Sequence, residues 1–328
     1  MGVWTRRGAL DLLTRGTIGH LLATGTWQRV FRGVYADGGY VLSPEQRAFA
    51  ALLATGGAEP VPLGGPRPDG TPRRRIVAAA CGRTAARVWG YPLVDDDDPA
   101  TGGTERFVHD VHTWRACAPV TQPPAPGEPR GHELRRHRLT LLPGELVRHP
   151  SGVWLTGPVR TALDCVLLLG HEAGVCVLDD GLHRGLFVPG QLAAAVDARA
   201  GRPGVVALAA AVAAADGRAE APTETLARLI LLPGLPGLVP QVELHDRTGR
   251  VLARFDLGDE KIKLAVDLDG KRGHAGEQMV AKDRRRDRRT EQYGWWTERG
   301  TWFEVRRRPE EFRARVVARA AARRNRAA

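Results

Sequence analysis

Cysteine is scarce in this sequence, and its four cysteines are too far apart to suggest a metal-binding or disulfide framework. Cys81, Cys117, Cys165 and Cys176 show no C-x-x-C spacing, which excludes the pattern of a zinc ribbon. A chain of 328 residues can bury enough apolar surface to fold without disulfides. We therefore expect reduced and mostly buried thiols.

Long apolar runs are also lacking. No run of about 18 apolar residues occurs, so a transmembrane helix is not expected. The beginning, MGVWTRRGALDLL, has basic residues but no apolar segment followed by a small-residue cleavage site, so no signal peptide is expected. These two observations together predict a cytoplasmic protein.

Acidic residues are few only in the last part of the chain. Residues 271–328 contain 18 Lys and Arg against 8 Asp and Glu, whereas residues 1–270 contain 30 and 29. Nearly all of the formal net charge of +11 therefore lies after residue 270. A basic segment of this kind is typical of a surface that binds a polyphosphate such as nucleic acid. The alternative is a solvated basic tail, which suits the terminal AARRNRAA.

Two short helices followed by a β-hairpin are predicted for residues 1–42. RRGALDLLTRG and TIGHLLATG have the composition of short helices, and TWQRVFRGVYADGGYVL alternates β-branched and aromatic residues with turn glycines. This order is that of a winged helix-turn-helix, which can place a helix in the major groove and a wing on phosphate. The candidate DNA contacts are Arg15, Arg29 and Arg32, with His20 and Gln28 as further polar groups. A packing module for protein contacts is the alternative.

Residues 43–215 are predicted to form a middle α/β region. SPEQRAFAALLATGG and IVAAACGRTAARVWGYPL have helical patterns, FVHDVHTW and HELRRHRLTLLP read as strands, and TGPVRTALDCVLLLG and EAGVCVLDDGLHRG read as helices. His109 and His112 lie three positions apart, which places them on opposite faces of a strand. Without a third ligand they do not predict a metal site.

Residues 216–328 carry the pattern with the clearest chemistry, a succession of helix, three strands, helix, strand and helix. Glu224 lies in the first helix, Asp256 near the end of the second strand, and Asp267 and Asp269 in the third. Adjacent strands are about 4.8 Å apart, so Asp256 and Asp267 can converge on one ion. The expected cofactor is Mg²⁺ or Mn²⁺, since Mg²⁺ binds one or two carboxylates together with waters and substrate phosphate.

Other interpretations of these carboxylates remain open. Asp269 and the following glycine also form a turn signal. Glu224 can compensate the start of its helix. Asp283 and Asp287 can pair with the surrounding arginines of the basic helix.

Three parts of the chain resemble known families. The N-terminal RVFRGVYA and the middle CGRTAARVWGY and GPVRTALDCV resemble AbiEi-type abortive-infection antitoxins. Residues 222–315 are similar to endonuclease-like domains of the PD-(D/E)XK superfamily related to very-short-patch-repair enzymes. The motifs that carry this second resemblance are the helix glutamate, RFDLG, VDLDGKRGH, KDRRRDRR and YGWW.

The second resemblance implies a set of site residues. Asp256 and Asp267 would bind the metal ion. The wider catalytic set implied is Asp256, Asp267, Asp269, Glu224, Lys271 and His274. The basic helix would bind the nucleic-acid backbone through Arg284, Arg285, Arg288 and Arg289, although the arginines from 284 to 289 wrap most of the helix and cannot all face the substrate.

The sequence departs from this family at two positions. Asp267 stands where a glutamate is commoner, and Asp269 stands where a lysine usually helps to activate the attacking water. That work would fall to Lys271, Lys263 or His274.

The sequence thus predicts an α+β multidomain protein with an N-terminal winged helix, a middle α/β region and a C-terminal restriction-endonuclease-like α/β domain with a mixed sheet. The expected activity is metal-dependent hydrolysis of DNA phosphodiesters, in phage defence, toxin–antitoxin function or DNA repair. The main alternative is a non-catalytic DNA-binding antitoxin or regulator with a degenerate nuclease fold. RNA is a possible substrate under the same charge arguments.

Overall fold

The computed structural model describes residues 2–39, 41–57, 61–62, 74–94, 107–113, 132–269 and 286–327. The chain divides into two compact units, Met1–Ala173 with Ala194–Ala200, and Gly174–Ala193 with Gly201–Ala328. The architecture is mixed α/β, and each unit contains a sheet with both parallel and antiparallel pairs. The prediction of a mixed α and β composition is confirmed.

The first unit begins with a small three-stranded sheet and two helices. Its elements are β1 (Val3–Thr5), α1 (Arg6–Leu10), α2 (Arg15–Ala23), β2 (Trp27–Phe31) and β3 (Val34–Asp37). The predicted helix pair and hairpin are both present, and β1 is an additional strand that pairs antiparallel with β3. Thr14 caps α2 by accepting the Thr17 amide at 3.1 Å, so the helix begins earlier than the sequence suggested.

A five-stranded sheet, a separate two-stranded sheet of β4 and β5, and three helices follow in the first unit. They are α3 (Pro44–Ala54), β4 (Val61–Pro62), β5 (Arg74–Arg75), β6 (Ala78–Ala80), α4 (Gly82–Trp89), β7 (Phe107–Thr113), β8 (His132–His137), β9 (Leu146–Arg148), β10 (Trp154–Thr156) and α5 (Pro158–Leu169). The sheet order is β8-β7-β6-β10-β9. Phe31 and Val34 of the hairpin share one hydrophobic core with Leu52, Leu134 and Leu155. The N-terminal hairpin is therefore packed into the same core as the larger sheet.

The prediction of one helix across IVAAACGRTAARVWGYPL is wrong in its first part. Ala78–Ala80 form a fully buried strand, and the helix begins only at Gly82. Gly82 has a φ of +48°, and a Cβ there would lie 2.6 Å from Leu168 Cδ1. Alanine favours helices in isolation, but pairing with β7 and β10 and the glycine break outweigh that preference here.

The second unit is built on a four-stranded sheet. Two helices, α6 (His171–His183) and α7 (Pro189–Asp197), contain residues of both units. The others are α8 (Val205–Ala214), α9 (Pro222–Leu231), β11 (Val239–His245), β12 (Val251–Asp259), β13 (Leu264–Asp269), α10 (286–291), β14 (Trp296–Thr301), α11 (Trp302–Arg307) and α12 (Pro309–Ala327). The sheet order is β11-β12-β13-β14, antiparallel except for the parallel pair β13 and β14.

The predicted order of elements after residue 222 is confirmed, with two differences. β12 continues past Asp256 to Asp259, so Asp256 lies inside the strand and not near its end. The last strand ends at Thr301, although the aromatic and β-branched residues of WWTERGTWFEV favour a strand as far as Val305. Thr301 and Glu304 form a reciprocal capping box, with bonds of 3.0 and 3.2 Å, which starts α11 and ends the strand.

Three of the cysteines lie among the described residues. Cys81, Cys165 and Cys176 are buried and form no disulfide there, and Cys117 lies outside the described residues. In the described part of the chain, no helix has the length and apolarity needed to cross a membrane.

Candidate active site

Asp256 and Asp267 face each other across two neighbouring strands. The antiparallel register pairs Leu257 with Val266, which places Asp256 directly opposite Asp267. Directly opposed side chains point to the same face of a sheet, with Cβ atoms about 4.5–5.5 Å apart. The Leu268 amide donates to Asp256 Oδ2 at 2.7 Å and fixes that carboxylate. The predicted proximity of these strands is confirmed.

Burial changes the electrostatics of this carboxylate pair. Only 8% of the Asp267 side chain is exposed, and burial together with the neighbouring charge of Asp256 raises its pKa to about 6. Burial likewise raises the pKa of Asp256 above its usual range. Two buried like charges bind either protons or a cation more readily than isolated carboxylates do.

Glu224 of α9 lies beside this pair. Its Oε2 accepts two hydrogen bonds of 2.9 Å, from the Glu220 amide and from Gln241 Nε2. Burial, with the charge of Asp256 adding to it, raises the pKa of Glu224 to about 7. Glu224 therefore both holds the chain at the start of its helix and adds a third carboxyl group next to Asp256.

Gln241 is a residue of this site that the sequence analysis missed. The register of β11 on β12 places it opposite Asp256, and its φ is +56°. A left-handed conformation is uncommon outside glycine, and such strain is concentrated at functional sites. Its Oε1 is buried without a hydrogen-bond partner. A strand pattern gives no signal for a single residue in this conformation.

Arg286 of α10 binds Asp267 directly. Its Nη1 lies 3.0 Å from Asp267 Oδ2, and its Nη2 donates to Asp267 Oδ1 at 3.3 Å. The same Nη2 donates to the Arg254 carbonyl at 2.5 Å, and the guanidinium stands 5.4 Å from the Phe255 ring centroid. Sequence reasoning placed an arginine cluster here but did not single out Arg286.

The other predicted site residues of the second unit are exposed or lie outside the described residues. Asp269 is the exposed last residue of β13. Arg288 and Arg289 are exposed on α10. The remaining four, Lys271, His274, Arg284 and Arg285, lie outside the described residues, as does Asp283.

Lys263 and Asp287, two further charged residues considered near the site, bind groups outside the carboxylate pair. Lys263 precedes β13 by one residue and donates through Nζ to the Tyr293 carbonyl at 2.9 Å. Four residues of strand separate it from Asp267, about 13 Å, so it does not reach the carboxylate pair. Asp287 binds Arg299 of β14, at 2.9 and 3.2 Å.

The donor set suits an ion that is held by few protein ligands. Among the described residues, no group of three or more His, Cys, Asp or Glu is arranged to hold a metal ion. Mg²⁺ needs only one or two carboxylates, because it keeps several waters. Gln241 Oε1 is a buried acceptor without a hydrogen bond, and such an acceptor is costly unless a cation or a donor satisfies it; Asp267 Oδ2 lies 3.0 Å from the Arg286 guanidinium. Asp256 and Asp267 therefore fit Mg²⁺ or Mn²⁺.

The candidate DNA contacts of the first unit are accessible. Arg15 at the start of α2, Arg29 on β2 and Arg32 in the β2–β3 turn are all exposed, as is His20. Gln28 donates through Nε2 to the Asp37 carbonyl at 2.7 Å. All three arginines thus lie on the helix and hairpin that a winged helix would use. The Gln28 amide instead supports the hairpin.

The raised pKa values predict a pH-dependent stability. The native state binds protons at Glu224 and Asp267 more tightly than the unfolded chain does, so their contribution to the free energy of unfolding falls as pH rises. The window runs from about 4 to about 7, between the usual carboxyl pKa values and those of about 6 and about 7 here.

Glu224→Gln should remove part of this slope. In EDTA, the free energy of unfolding of wild type should fall, as pH rises from 5 to 8, by about 1–3 kcal/mol more than that of the variant. Urea denaturation across this range measures the difference. Parallel curves for the two proteins would contradict the assignment of a proton to Glu224.

The chain is similar to two mycobacterial proteins. No family model matches the chain. Two proteins of Mycobacterium tuberculosis are each 30% identical to it over 175 residues, the uncharacterized protein MT2308 of strain CDC 1551 / Oshkosh and the uncharacterized protein Rv2248 of strain ATCC 25618 / H37Rv. The aligned region covers 53% of this chain and 64% of each relative. Their names state no activity.

Proposed function

We propose that the protein is a metal-dependent endonuclease of the PD-(D/E)XK type that hydrolyses DNA phosphodiesters. The observation that carries the proposal is the pair of carboxylates, Asp256 and Asp267, placed opposite each other on adjacent strands, with Asp267 buried and Asp256 partly buried. Glu224 and the strained Gln241 adjoin the pair. A purely structural sheet has no need to bury two like charges side by side, because their desolvation costs free energy.

The chain's own residues would divide the work. Asp256 and Asp267 would hold the cation, and Mg²⁺ or Mn²⁺, when bound, would supply a polarised water and neutralise charge on the leaving oxygen. Glu224, with its pKa of about 7, can accept a proton near neutral pH. Gln241 Nε2 orients the Glu224 carboxylate.

The exposed Arg288 and Arg289 can bind backbone phosphates. Asp269, Lys271 and His274 remain proposed supporting residues.

The first unit would contribute a winged-helix contact to DNA. The triple variant Arg15→Ala/Arg29→Ala/Arg32→Ala should bind duplex DNA more weakly. The slope of log K against the logarithm of salt concentration should become smaller in magnitude by about three. Fluorescence anisotropy at several salt concentrations measures both. Arg148→Ala, which removes an exposed arginine from β9, is the matched control. An unchanged salt slope in the triple variant would instead favour a role of this unit in protein contacts.

A non-catalytic DNA-binding antitoxin or regulator is the second candidate. It is favoured by the exposed Asp269 at the place of the usual lysine and by the distance of Lys263 from the carboxylates. Such a protein has no need of a divalent ion and should bind DNA equally well in EDTA. The two candidates therefore differ in their metal dependence.

The test is to incubate the purified protein with supercoiled plasmid, single-stranded DNA and RNA, each with Mg²⁺, Mn²⁺ or EDTA. The proposal predicts cleavage of DNA that requires the metal ion. Cleavage of RNA alone would reassign the substrate. Tight DNA binding without cleavage under any condition would leave the regulator.

A further inference from the structure

Arg286 provides an internal positive charge at the carboxylate pair. Its guanidinium touches both oxygens of Asp267, at 3.0 and 3.3 Å. Its Nη2 also donates to the Arg254 carbonyl, and the guanidinium lies 5.4 Å from the Phe255 ring centroid. About 30% of the Arg286 side chain is exposed, so the group can leave Asp267 without crossing a packed core.

We propose that Arg286 is an exchangeable cation that neutralises Asp267 when no divalent ion is bound and binds a substrate phosphate when the ion displaces it. This inference rests on the proposed function, since it concerns the same carboxylates. A divalent ion and a guanidinium repel each other at one carboxylate, so the two compete for Asp267. The guanidinium fork matches phosphate as well as carboxylate. The released side chain remains on α10, next to the exposed Arg288 and Arg289.

The contacts of Arg286 favour exchange over a permanent structural role. The contact of Arg286 Nη2 with Asp267 Oδ1, at 3.3 Å, is longer than the usual N–H···O hydrogen bond, so the pair is held closely only by the 3.0 Å contact of Nη1 with Oδ2. The other ion pair at this edge of the second unit, Asp287 with Arg299, makes two hydrogen bonds to one nitrogen and joins α10 to β14. That second pair keeps α10 attached when Arg286 moves.

The first test measures Mn²⁺ binding by titration calorimetry at pH 8, without nucleic acid. At this pH protons do not compete at Glu224 or Asp267, whose pKa values are about 7 and about 6. Arg286→Gln should lower the Mn²⁺ dissociation constant about five- to 100-fold, the range of typical coupling between sites. Arg250→Gln, which removes an exposed arginine from the turn before β12, should leave it unchanged.

The second test measures the proposed phosphate contact. With Ca²⁺ present, Arg286→Gln should bind duplex DNA more weakly and with a salt slope smaller by about one. Arg286→Lys keeps the positive charge, but its ammonium group cannot bind both oxygens of a carboxylate as a guanidinium does. This variant should therefore show a gain in Mn²⁺ affinity between those of wild type and Arg286→Gln. This variant keeps the test valid if Arg286→Gln does not fold.

The outcomes separate this inference from the proposed function. Equal or weaker Mn²⁺ binding in both Arg286 variants, with wild type binding the ion, would overturn the exchange and leave the metal site in place. Stronger Mn²⁺ binding with unchanged DNA affinity would overturn the phosphate contact. Absence of Mn²⁺ binding in wild type and in every variant would overturn the nuclease proposal as well.

Discussion

Replacing Asp256 and Asp267 together by asparagine should abolish metal-dependent DNA cleavage, with a loss of at least about a thousandfold. A metal ion contributes several kcal/mol to transition-state charge stabilisation, and each 1.36 kcal/mol is about tenfold in rate. Asparagine has nearly the same shape, and its oxygen can still accept the Leu268 amide that binds Asp256 Oδ2. The fold should therefore survive while the ion is lost.

Glu260→Gln is the control for this loss. Glu260 is exposed in the turn that joins β12 and β13, close in sequence to the carboxylate pair but outside it. The control should cleave at the wild-type rate. Both proteins should show the same far-ultraviolet circular dichroism. Residual metal-dependent cleavage in the double asparagine variant, within tenfold of wild type, would place the catalytic ion elsewhere.

Asp179→Ala should destabilise the second unit by about 3–5 kcal/mol, the cost of leaving one partner of a buried ion pair alone. Asp179 Oδ2 accepts from Arg228 Nη2 at 2.8 Å and from Thr225 Oγ1 at 2.7 Å, and Oδ1 accepts the Asp216 amide at 2.6 Å. Only 2% of the Asp179 side chain and 5% of that of Arg228 are exposed. The lost carboxylate would leave a guanidinium buried without its counterion.

The neighbouring residue is a matched control for this prediction. Asp180 forms an ion pair with Arg184 one helical turn away, but both side chains are partly exposed, at 26% and 38%. Asp180→Ala should cost less than about 1 kcal/mol, because exposed pairs contribute little. Hydrogen exchange of the α6 and α9 amides measures both effects within the second unit. Similar costs for the two variants would contradict the anchoring role of Asp179.

The Asp179 network also matters for the candidate active site. Thr225 and Arg228 lie on α9, the helix that carries Glu224. Asp179 on α6 therefore fixes the helix that positions the third carboxyl group. Loss of this anchor should reduce cleavage through the placement of Glu224 as well as through stability.

Much of the second unit could be predicted because its local signals agree with its tertiary structure. Pro222 at the first turn of α9, the turn glycine Gly249 and the alternation of β12 all indicate the observed elements. Two strands joined by a short turn must pair antiparallel. The approach of Asp256 to Asp267 then follows from their positions on either side of that turn.

The features that could not be predicted depend on contacts distant in sequence. Which arginine of the basic helix meets Asp267 depends on the rotation of α10 over the sheet, and nothing within KDRRRDRR determines it. The left-handed conformation of Gln241 has no signal in the residues around it. The segment from Trp302 to Val305 has the composition of a strand, and only the side chains of Thr301 and Glu304 make it a helix.

The most direct test of the central claim is an anomalous difference map from a crystal of the wild-type protein grown with Mn²⁺. The account predicts one strong peak about 2.1 Å from oxygens of both Asp256 and Asp267, with the Arg286 guanidinium moved away from Asp267. A map without a peak at this pair, with Arg286 still bound to Asp267, would contradict the account.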